Sequence, residues 1–174
     1  MLQLTDFKDD DAWTPVQEPF SEVTIEEQIQ GLRIQQLVTN SDNRGDLTVL
    51  MSDLYDKTHQ TPHVYLVTAA AKSVRAWVYH KYQKDRLAYT QGKLRVVLYD
   101  LREDSSTYKK VNVIEVGEKN KVLVTIPPFV VHGVQNYGDH DAQFVNMTTN
   151  AYDPAKPDKS RVSKDCSDIP YVFE

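Results

Sequence analysis

Residues 121–128, KVLVTIPP, alternate between the two faces of a β-strand. Val122, Val124 and Ile126 would face one side, and a Pro-Pro pair follows the strand directly. Residues 93–102, KLRVVLYDLR, repeat the same period of two. Shorter runs rich in β-forming residues occur at 32–38, 46–52, 63–69, 86–90, 111–116 and 142–149. Because turn signals separate these runs, the pattern predicts an all-β antiparallel sandwich or barrel.

The two ends of the chain differ from this strand-rich middle. Residues 24–30 carry a weak helix signal, a single short turn that Gly31 would stop. From Tyr152 onward, three prolines and many charged residues predict an irregular tail that wraps the surface. We therefore expect one domain, with an amino-terminal arm at 1–30 and a barrel with its tail at 31–174.

Composition excludes several classes of protein. The 174 residues include 20 Lys and Arg against 25 Asp and Glu, a net charge of -5 that gives no reason to bind nucleic acid. The only cysteine is Cys166, so an internal disulfide and a zinc site built on several thiolates are excluded. No run approaches the ~20 apolar residues that span a bilayer, and the first residues do not resemble a secretory signal. We expect a cytoplasmic protein with no membrane partner.

Residues 75–85, RAWVYHKYQKD, contain the first motif with candidate catalytic or metal-binding side chains. Residues two apart in a strand face the same side, so Val78 and His80 would point to one face. Asp85 follows five residues later, and Gly92 stands at the next turn. This order resembles the first motif of the cupin superfamily, which has two histidines, an acidic residue and a glycine. Here valine replaces the first histidine and aspartate replaces glutamate.

Residues 127–136, PPFVVHGVQN, resemble the second cupin motif, with His132 as its histidine and Asn136 four residues on. Phe129 stands where that motif usually has glycine. The two motifs occur in the cupin order, so the resemblance implies a double-stranded β-helix, or jelly-roll barrel.

Within the cupins, the chain is similar to the dTDP-4-dehydrorhamnose 3,5-epimerase family from about residue 30 to 174. The similar stretches are Asp42–Gly45, Arg75 with Trp77, Gly92, Tyr99–Arg102 with Ser105 and Thr107, Ile126–Gly133, Asn150–Pro154, and Lys164–Asp165 with Asp168–Tyr171. This resemblance implies a homodimer in which an amino-terminal strand joins the neighbour's sheet.

The resemblance also implies a reaction. Members of the family remove and return a proton beside the ketone of a 4-keto-6-deoxy nucleotide sugar, in deoxysugar or polysaccharide biosynthesis, and need neither an organic cofactor nor a metal. Such chemistry requires a base, an acid on the opposite face, and a positive group or hydrogen-bond donor that stabilises the enolate.

Several residues match family positions with a known role. The resemblance implies that Arg44 and Arg75 hold the phosphates, and that Asp165 orients the base. His132 matches a histidine of the active site. Trp77 lies beside this strand face and is a candidate for stacking on the nucleobase. Since an arginine amid apolar neighbours needs a partner, we expect Arg75 to be a buried anion ligand.

Other family positions are changed in this chain. The general base falls on Val78, the enolate-stabilising lysine on Asp85, the tyrosine acid on Asn146 and an acidic residue that contacts the nucleobase on Val49. Losing a general acid or base costs roughly 10²–10⁴ in rate. Epimerisation by this chain would therefore require His80, on the same strand face, to replace the base.

Three hypotheses remain open at this point. The protein is a sugar-nucleotide epimerase whose catalytic residues are His80, His132 and Asp165, with Asp85, Arg44, Arg75 and Trp77 binding the substrate. Alternatively, His80, Asp85 and His132 bind a metal in a cupin isomerase or oxygenase, or the barrel binds a nucleotide sugar without turnover. The epimerase hypothesis requires that His80 and His132 share one arginine-lined cavity.

Overall fold

A computed structural model describes residues 2–9, 20–52 and 60–174, and nearly all of its regular structure is β-strand. One 3-10 turn, Leu4–Asp6, precedes the strands. In chain order the strands are β1 (Glu22–Val23), β2 (Arg33–Gln36), β3 (Thr39–Asp42), β4 (Gly45–Thr48), β5 (His63–Ala69), β6 (Val74–Tyr79), β7 (Asp85–Gln91), β8 (Lys93–Asp100), β9 (Val111–Gly117), β10 (Val122–Ile126), β11 (Val130–Asn136), β12 (Ala142–Thr148) and β13 (Ser160–Arg161). The α-helical content of these described segments is nil.

Two antiparallel sheets form the barrel. The first sheet has the strand order β1-β2-β10-β7-β12-β5, and the second has the order β13-β6-β11-β8-β9. Strands β3 and β4 form a separate hairpin whose turn includes Arg44. The predicted all-β cupin fold is therefore confirmed, and each predicted run of β-forming residues overlaps a strand.

The alternation in β8 and β10 builds the core. Leu94, Val96 and Leu98 are fully buried between the sheets together with Val124 and Ile126. Burying side chains of this size stabilises the fold by about 1.5–3 kcal/mol each. Val97 and Tyr99 on the other face of β8 are buried as well, because the carboxyl-terminal tail packs on the outer face of the second sheet.

Two turn positions show why the cupin motifs favour glycine. Gly92 joins β7 to β8 with φ +82°, and a Cβ atom there would collide with Ala142. Phe129 has φ +63° before β11, a left-handed conformation that glycine adopts without strain. Its ring stacks on Tyr79, with centroids 6.1 Å apart, so an aromatic contact offsets part of that strain.

The chain ends attach to opposite sheets. β1 pairs with β2 at the edge of the first sheet, while residues 10–19 of the predicted arm lie outside the described residues. Residues 24–30 form turns rather than a helix. In the tail, β13 pairs with β6 at the edge of the second sheet. No helix within the described ranges is long and apolar enough to cross a bilayer.

Candidate active site

An interior cavity of about 320 Å³ opens between the two sheets. Its lining includes Tyr65, Asp85, Leu87 and Asn146 from the first sheet and Arg75, Val78 and His132 from the second. A larger cavity of about 600 Å³ lies beneath the tail, against His63, His80 and Gln83. Tyr65, Lys159 and Arg161 line both cavities, so the two adjoin.

Two histidines and an aspartate meet at the wall of these cavities. His80 follows β6, Asp85 begins β7 and His132 lies in β11, and each is no more than 5% exposed. Oδ2 of Asp85 lies 3.3 Å from Nε2 of His80 and 3.4 Å from Nε2 of His132. The two rings are 6.0 Å apart between centroids. The structure thus brings the two histidines together, but His80 lines the cavity beneath the tail and His132 lines the interior cavity, so they occupy adjoining cavities rather than the single cavity that was predicted.

Backbone carbonyls fix the tautomer of both rings. Nδ1 of His132 donates to the carbonyl of Val130 at 3.0 Å, and Nδ1 of His80 donates to the carbonyl of Asp158. A carbonyl only accepts, so the proton of each neutral ring sits on Nδ1 and the lone pair on Nε2. Both lone pairs then face the Asp85 carboxylate, and Nε2 of His80 has no partner with hydrogen-bond geometry. One positive charge between these atoms, a proton or a metal ion, would be stabilised.

The Asp85 carboxylate is held by a third neighbour. Nε2 of Gln83 donates to its other oxygen, Oδ1, at 2.8 Å. Burial raises the pKa of Asp85, but a proton on Nε2 of His132 or His80 gives this carboxylate a hydrogen-bond donor and a positive charge. These contacts outweigh the burial and hold the pKa of Asp85 well below its ordinary value. Asp85 is therefore ionised at neutral pH.

The tail reaches this cluster through Asp158. Its carboxylate accepts hydrogen bonds from the backbone N–H groups of Lys81, Tyr82 and Gln83 at 2.8 to 3.0 Å. Burial raises the pKa of Asp158, but these three donors outweigh it and lower the pKa overall. Asp158 thus fixes both the loop after β6 and the ring of His80.

Three cationic side chains, Arg75, Lys159 and Arg161, line the interior cavity. None of the three forms an ion pair within the described part of the chain. Lys159 is an exposed residue, yet partial desolvation of its amine and the nearby charge of Arg161 lower the pKa of that amine. Uncompensated cations around one cavity favour an anionic ligand.

A β-bulge explains how Arg75 shares the cavity with Val78, three residues away. His132 pairs with Val78 and Val134 with Arg75, so β6 has one more residue than β11 between these pairs. The extra residue restores Arg75 to the cavity face. The prediction that Arg75 is buried is wrong, because the residue is exposed where the cavity reaches the surface.

Tyr65 and Asn146 face each other on neighbouring strands of the first sheet. Nδ2 of Asn146 donates to the Tyr65 hydroxyl at 2.8 Å, while Oδ1 of Asn146 is buried and has no partner among the described residues. Burial raises the pKa of Tyr65, and the charge of Asp85 raises it further. The hydroxyl therefore keeps its proton at neutral pH.

Trp77 is not a cavity residue. It is fully buried on the other face of β6, where Ile169, Tyr171 and Phe173 of the tail pack around it. Its Nε1–H donates to the carbonyl of Lys164 at 3.3 Å. The expected stacking on a nucleobase is corrected to a role in fixing the tail, because alternation in β6 turns Trp77 away from Val78.

Arg44 and Asp165 also lie away from the histidines. Arg44 is exposed in the β3–β4 hairpin and forms an ion pair with Asp42 at 2.5 Å. Asp165 is exposed in the tail and pairs with its neighbour Lys164 at 2.6 Å. Neither lines a cavity described above. Asp85, rather than Asp165, is the carboxylate that contacts the histidines.

Sequence reasoning missed four residues of the site: Tyr65, Asp158, Lys159 and Arg161. The sequence could have indicated Tyr65 as a candidate, because it lies in a predicted strand. The spacing of Lys159 and Arg161 by two residues also fits one strand face. Nothing local marks Asp158, whose partners are 75 to 77 residues away.

Comparison with known proteins places the chain in a family. The model of the dTDP-4-dehydrorhamnose 3,5-epimerase family matches residues 26–172. The spore coat polysaccharide biosynthesis protein SpsL of Bacillus subtilis is 33% identical over 137 residues, covering 79% of this chain and 91% of that protein. The probable low-salt glycan biosynthesis epimerase Agl13 of Haloferax volcanii is 32% identical over 139 residues, covering 79% and 89%.

Solved structures agree with this fold. A dTDP sugar isomerase from Desulfovibrio desulfuricans superposes with a TM-score of 0.78 at 26% identity, covering 83% of this chain and 91% of that one. A dTDP-4-dehydrorhamnose 3,5-epimerase from Bacillus anthracis, solved with TDP and pyrophosphate bound, gives 0.74 at 18% identity, covering 89% and 92%. The second comparison bears on the fold alone. By its match over nearly the whole barrel and tail, the chain belongs to the dTDP-4-dehydrorhamnose 3,5-epimerase family.

Proposed function

We propose that this protein binds a dTDP-linked 4-keto-6-deoxy sugar and moves a proton at a carbon beside the ketone. The observation that carries this proposal is the placement of three unpaired cations, Arg75, Lys159 and Arg161, around the cavity that His132 and Asp85 line. Arginine and lysine donors suit a diphosphate. The names of SpsL and Agl13 support a role in polysaccharide or glycan biosynthesis.

In this reaction His132 is the base. Its Nε2 takes the proton, and the electron pair of the broken C–H bond forms the enolate. The resulting imidazolium faces the Asp85 carboxylate 3.4 Å away, which stabilises the new charge. The Lys159 amine supplies positive charge for the enolate oxygen, in place of the lysine missing at position 85.

Deuterium exchange tests this proposal. The protein is incubated with dTDP-4-keto-6-deoxyglucose in deuterated buffer, and deuterium at the carbons beside the ketone is measured by mass spectrometry. We expect exchange with the unaltered chain and a loss of at least 100-fold in His132→Asn. The control is His140→Asn, an exposed histidine, which should exchange normally. Tight dTDP binding without exchange would instead support a non-catalytic nucleotide-sugar-binding protein.

A second candidate function is metal-dependent cupin chemistry. One ligand atom each from His80, Asp85 and His132 lies within 4.8 Å of the others. Both histidines donate Nδ1–H to a carbonyl, as metal-ligating histidines commonly do. Two histidines and a carboxylate suit Fe(II), with open positions for a substrate. Stoichiometric metal in protein purified without an affinity tag, lost in Asp85→Asn, would favour this function.

We also propose that the protein is a cytoplasmic homodimer. Strand β5 lies at an edge of the first sheet, and its Val64 and Leu66 are 55% and 59% exposed. Pairing with a second copy would cover these apolar side chains. Light scattering should give twice the chain mass, and Leu66→Glu should shift it toward the monomer. A monomer for the unaltered chain would contradict the proposal.

A further inference from the structure

Inverting a carbon requires two proton-transfer groups, one on each face of the enolate. Under the proposed function, His132 acts from the second sheet. The chain has Asn146 where the family resemblance predicted a tyrosine acid, and an amide cannot give up a proton near neutral pH. The opposite face therefore needs another donor.

Tyr65 lies beside the position of that missing acid. It pairs directly across from Asn146, and their side chains are joined by a hydrogen bond of 2.8 Å between Nδ2 and the hydroxyl. Both residues line the interior cavity. Because Asn146 is only 2% exposed, its buried side chain presents a hydrogen-bond donor to the tyrosine hydroxyl at a defined place in the wall.

The two proton-transfer groups would approach the substrate from different walls. Tyr65 belongs to β5 of the first sheet, whereas His132 belongs to β11 of the second, and the cavity lies between these sheets. Both carboxylate oxygens of Asp85 already have close partners, Oδ1 in Gln83 and Oδ2 in the two histidines, and an arginine does not give up its proton. Lys159 is the competing donor among the lining residues described.

We propose that Tyr65 is the catalytic acid that protonates the enolate on the face opposite His132. This inference rests on the proposed function. His132 takes the proton from carbon, and the C–H electron pair becomes part of the enolate. The enolate carbon then forms a bond to the Tyr65 proton, while the O–H pair stays on the phenolate oxygen. Water restores the Tyr65 proton and accepts the His132 proton, so only the configuration changes.

The test separates proton exchange from inversion. The nucleotide sugar is incubated in deuterated buffer, and NMR measures deuterium in recovered substrate and in the inverted product. In Tyr65→Phe, exchange into recovered substrate should stay within threefold of the unaltered chain, while inversion falls at least 100-fold. The matched control is Tyr108→Phe, which lies outside both cavities and should change neither rate. dTDP affinity within threefold verifies that each variant is folded.

A second pair of variants moves the phenol across the strands. Tyr65→Ala should lose inversion, and Tyr65→Ala combined with Asn146→Tyr should regain at least tenfold, because the new ring enters the space that the first one leaves. Inversion that survives in Tyr65→Phe, or exchange and inversion that fall together, would overturn the role of Tyr65 as acid. Absence of exchange in the unaltered chain would reject the proposed function, and this inference with it.

Discussion

Asp158 contacts His80 and the chain beyond it from two directions. Its carbonyl accepts the Nδ1–H of the His80 ring, while its carboxylate accepts three backbone N–H groups of residues 81–83. A single tail residue thus sets both the tautomer of the histidine and the path of the loop that follows it.

Replacing Asp158 should therefore loosen the site more than the fold. In Asp158→Ala, hydrogen-exchange protection of the amides at 81–83 should fall at least tenfold, because losing a charged acceptor costs about 1.5–3 kcal/mol per hydrogen bond. Deuterium exchange into the substrate should fall at least tenfold as well. Asp168→Ala, an exposed change in the same tail, is the control. Equal protection in the two variants would show that Asp158 does not hold the loop.

The buried carboxylate of Asp100 should make the stability of the fold fall at low pH. It is fully buried, and burial raises its pKa, but hydrogen bonds from Arg102, Ser105 and Thr107 outweigh the burial and leave the pKa below its ordinary value. The carboxylate therefore stabilises the fold above its unfolded pKa of about 3.9, and this contribution is lost as the pH falls further.

Urea unfolding checks this prediction. Asp100→Asn should lower the free energy of unfolding by about 2–3 kcal/mol at pH 7. Its stability should also vary less than that of the unaltered chain between about pH 4 and pH 2. Glu118→Gln, a substitution at an exposed residue, should leave the loss of stability at low pH unchanged. Parallel pH profiles for the Asp100 variant and the unaltered chain would exclude this carboxylate as a source of acid sensitivity.

Trp77 should matter for stability and not for binding. Trp77→Ala removes a fully buried indole from its contacts with the tail and should cost about 3–5 kcal/mol in the free energy of unfolding. Trp77→Phe retains part of this packing and should keep dTDP affinity within twofold, as measured by calorimetry at a temperature where it is folded. A tenfold loss of affinity in the folded Phe variant would return Trp77 to the binding site.

Arg75, in contrast, should matter for binding and not for stability. Arg75→Ala should weaken dTDP binding about tenfold, since it removes one of three cations at the cavity, and should shift the melting temperature by about 1 °C or less because the residue is exposed. Lys119→Ala, a surface change away from the interior cavity, is the matched control. Unchanged affinity in Arg75→Ala would remove this arginine from the phosphate site.

The fold followed from sequence because strand alternation and turns are local signals. Alternation also placed Val78 and His80 on one face, although only the folded sheets show that Asp85 lies between the two histidines. The bulge that returns Arg75 to the cavity has no sequence signature. The orientation of Trp77 could have been predicted, because a residue next to Val78 in a strand faces the opposite side of the sheet.

The tail could not be placed from sequence. Lys159 and Arg161 reach the cavity because Asp158 binds the loop after β6 and because β13 pairs with β6. These contacts join segments about 80 residues apart, and the intervening charges and prolines indicate only an irregular path. Resemblance to the family transferred roles to matching positions, so it could not reveal residues that act from new ones.

Because the site depends on residues 158–161, proton transfer and ligand binding would rely on different segments of the chain. Under the proposed function, the barrel strands carry the groups that transfer protons, whereas the tail segment 158–161 supplies two of the three cations, Lys159 and Arg161, that would bind the phosphates. If that function holds, substitutions in this tail segment should change which sugar nucleotide is bound without disturbing the barrel interior. Grafting the corresponding tail segment of one relative onto the barrel of another is thus a direct way to alter selectivity for the sugar nucleotide.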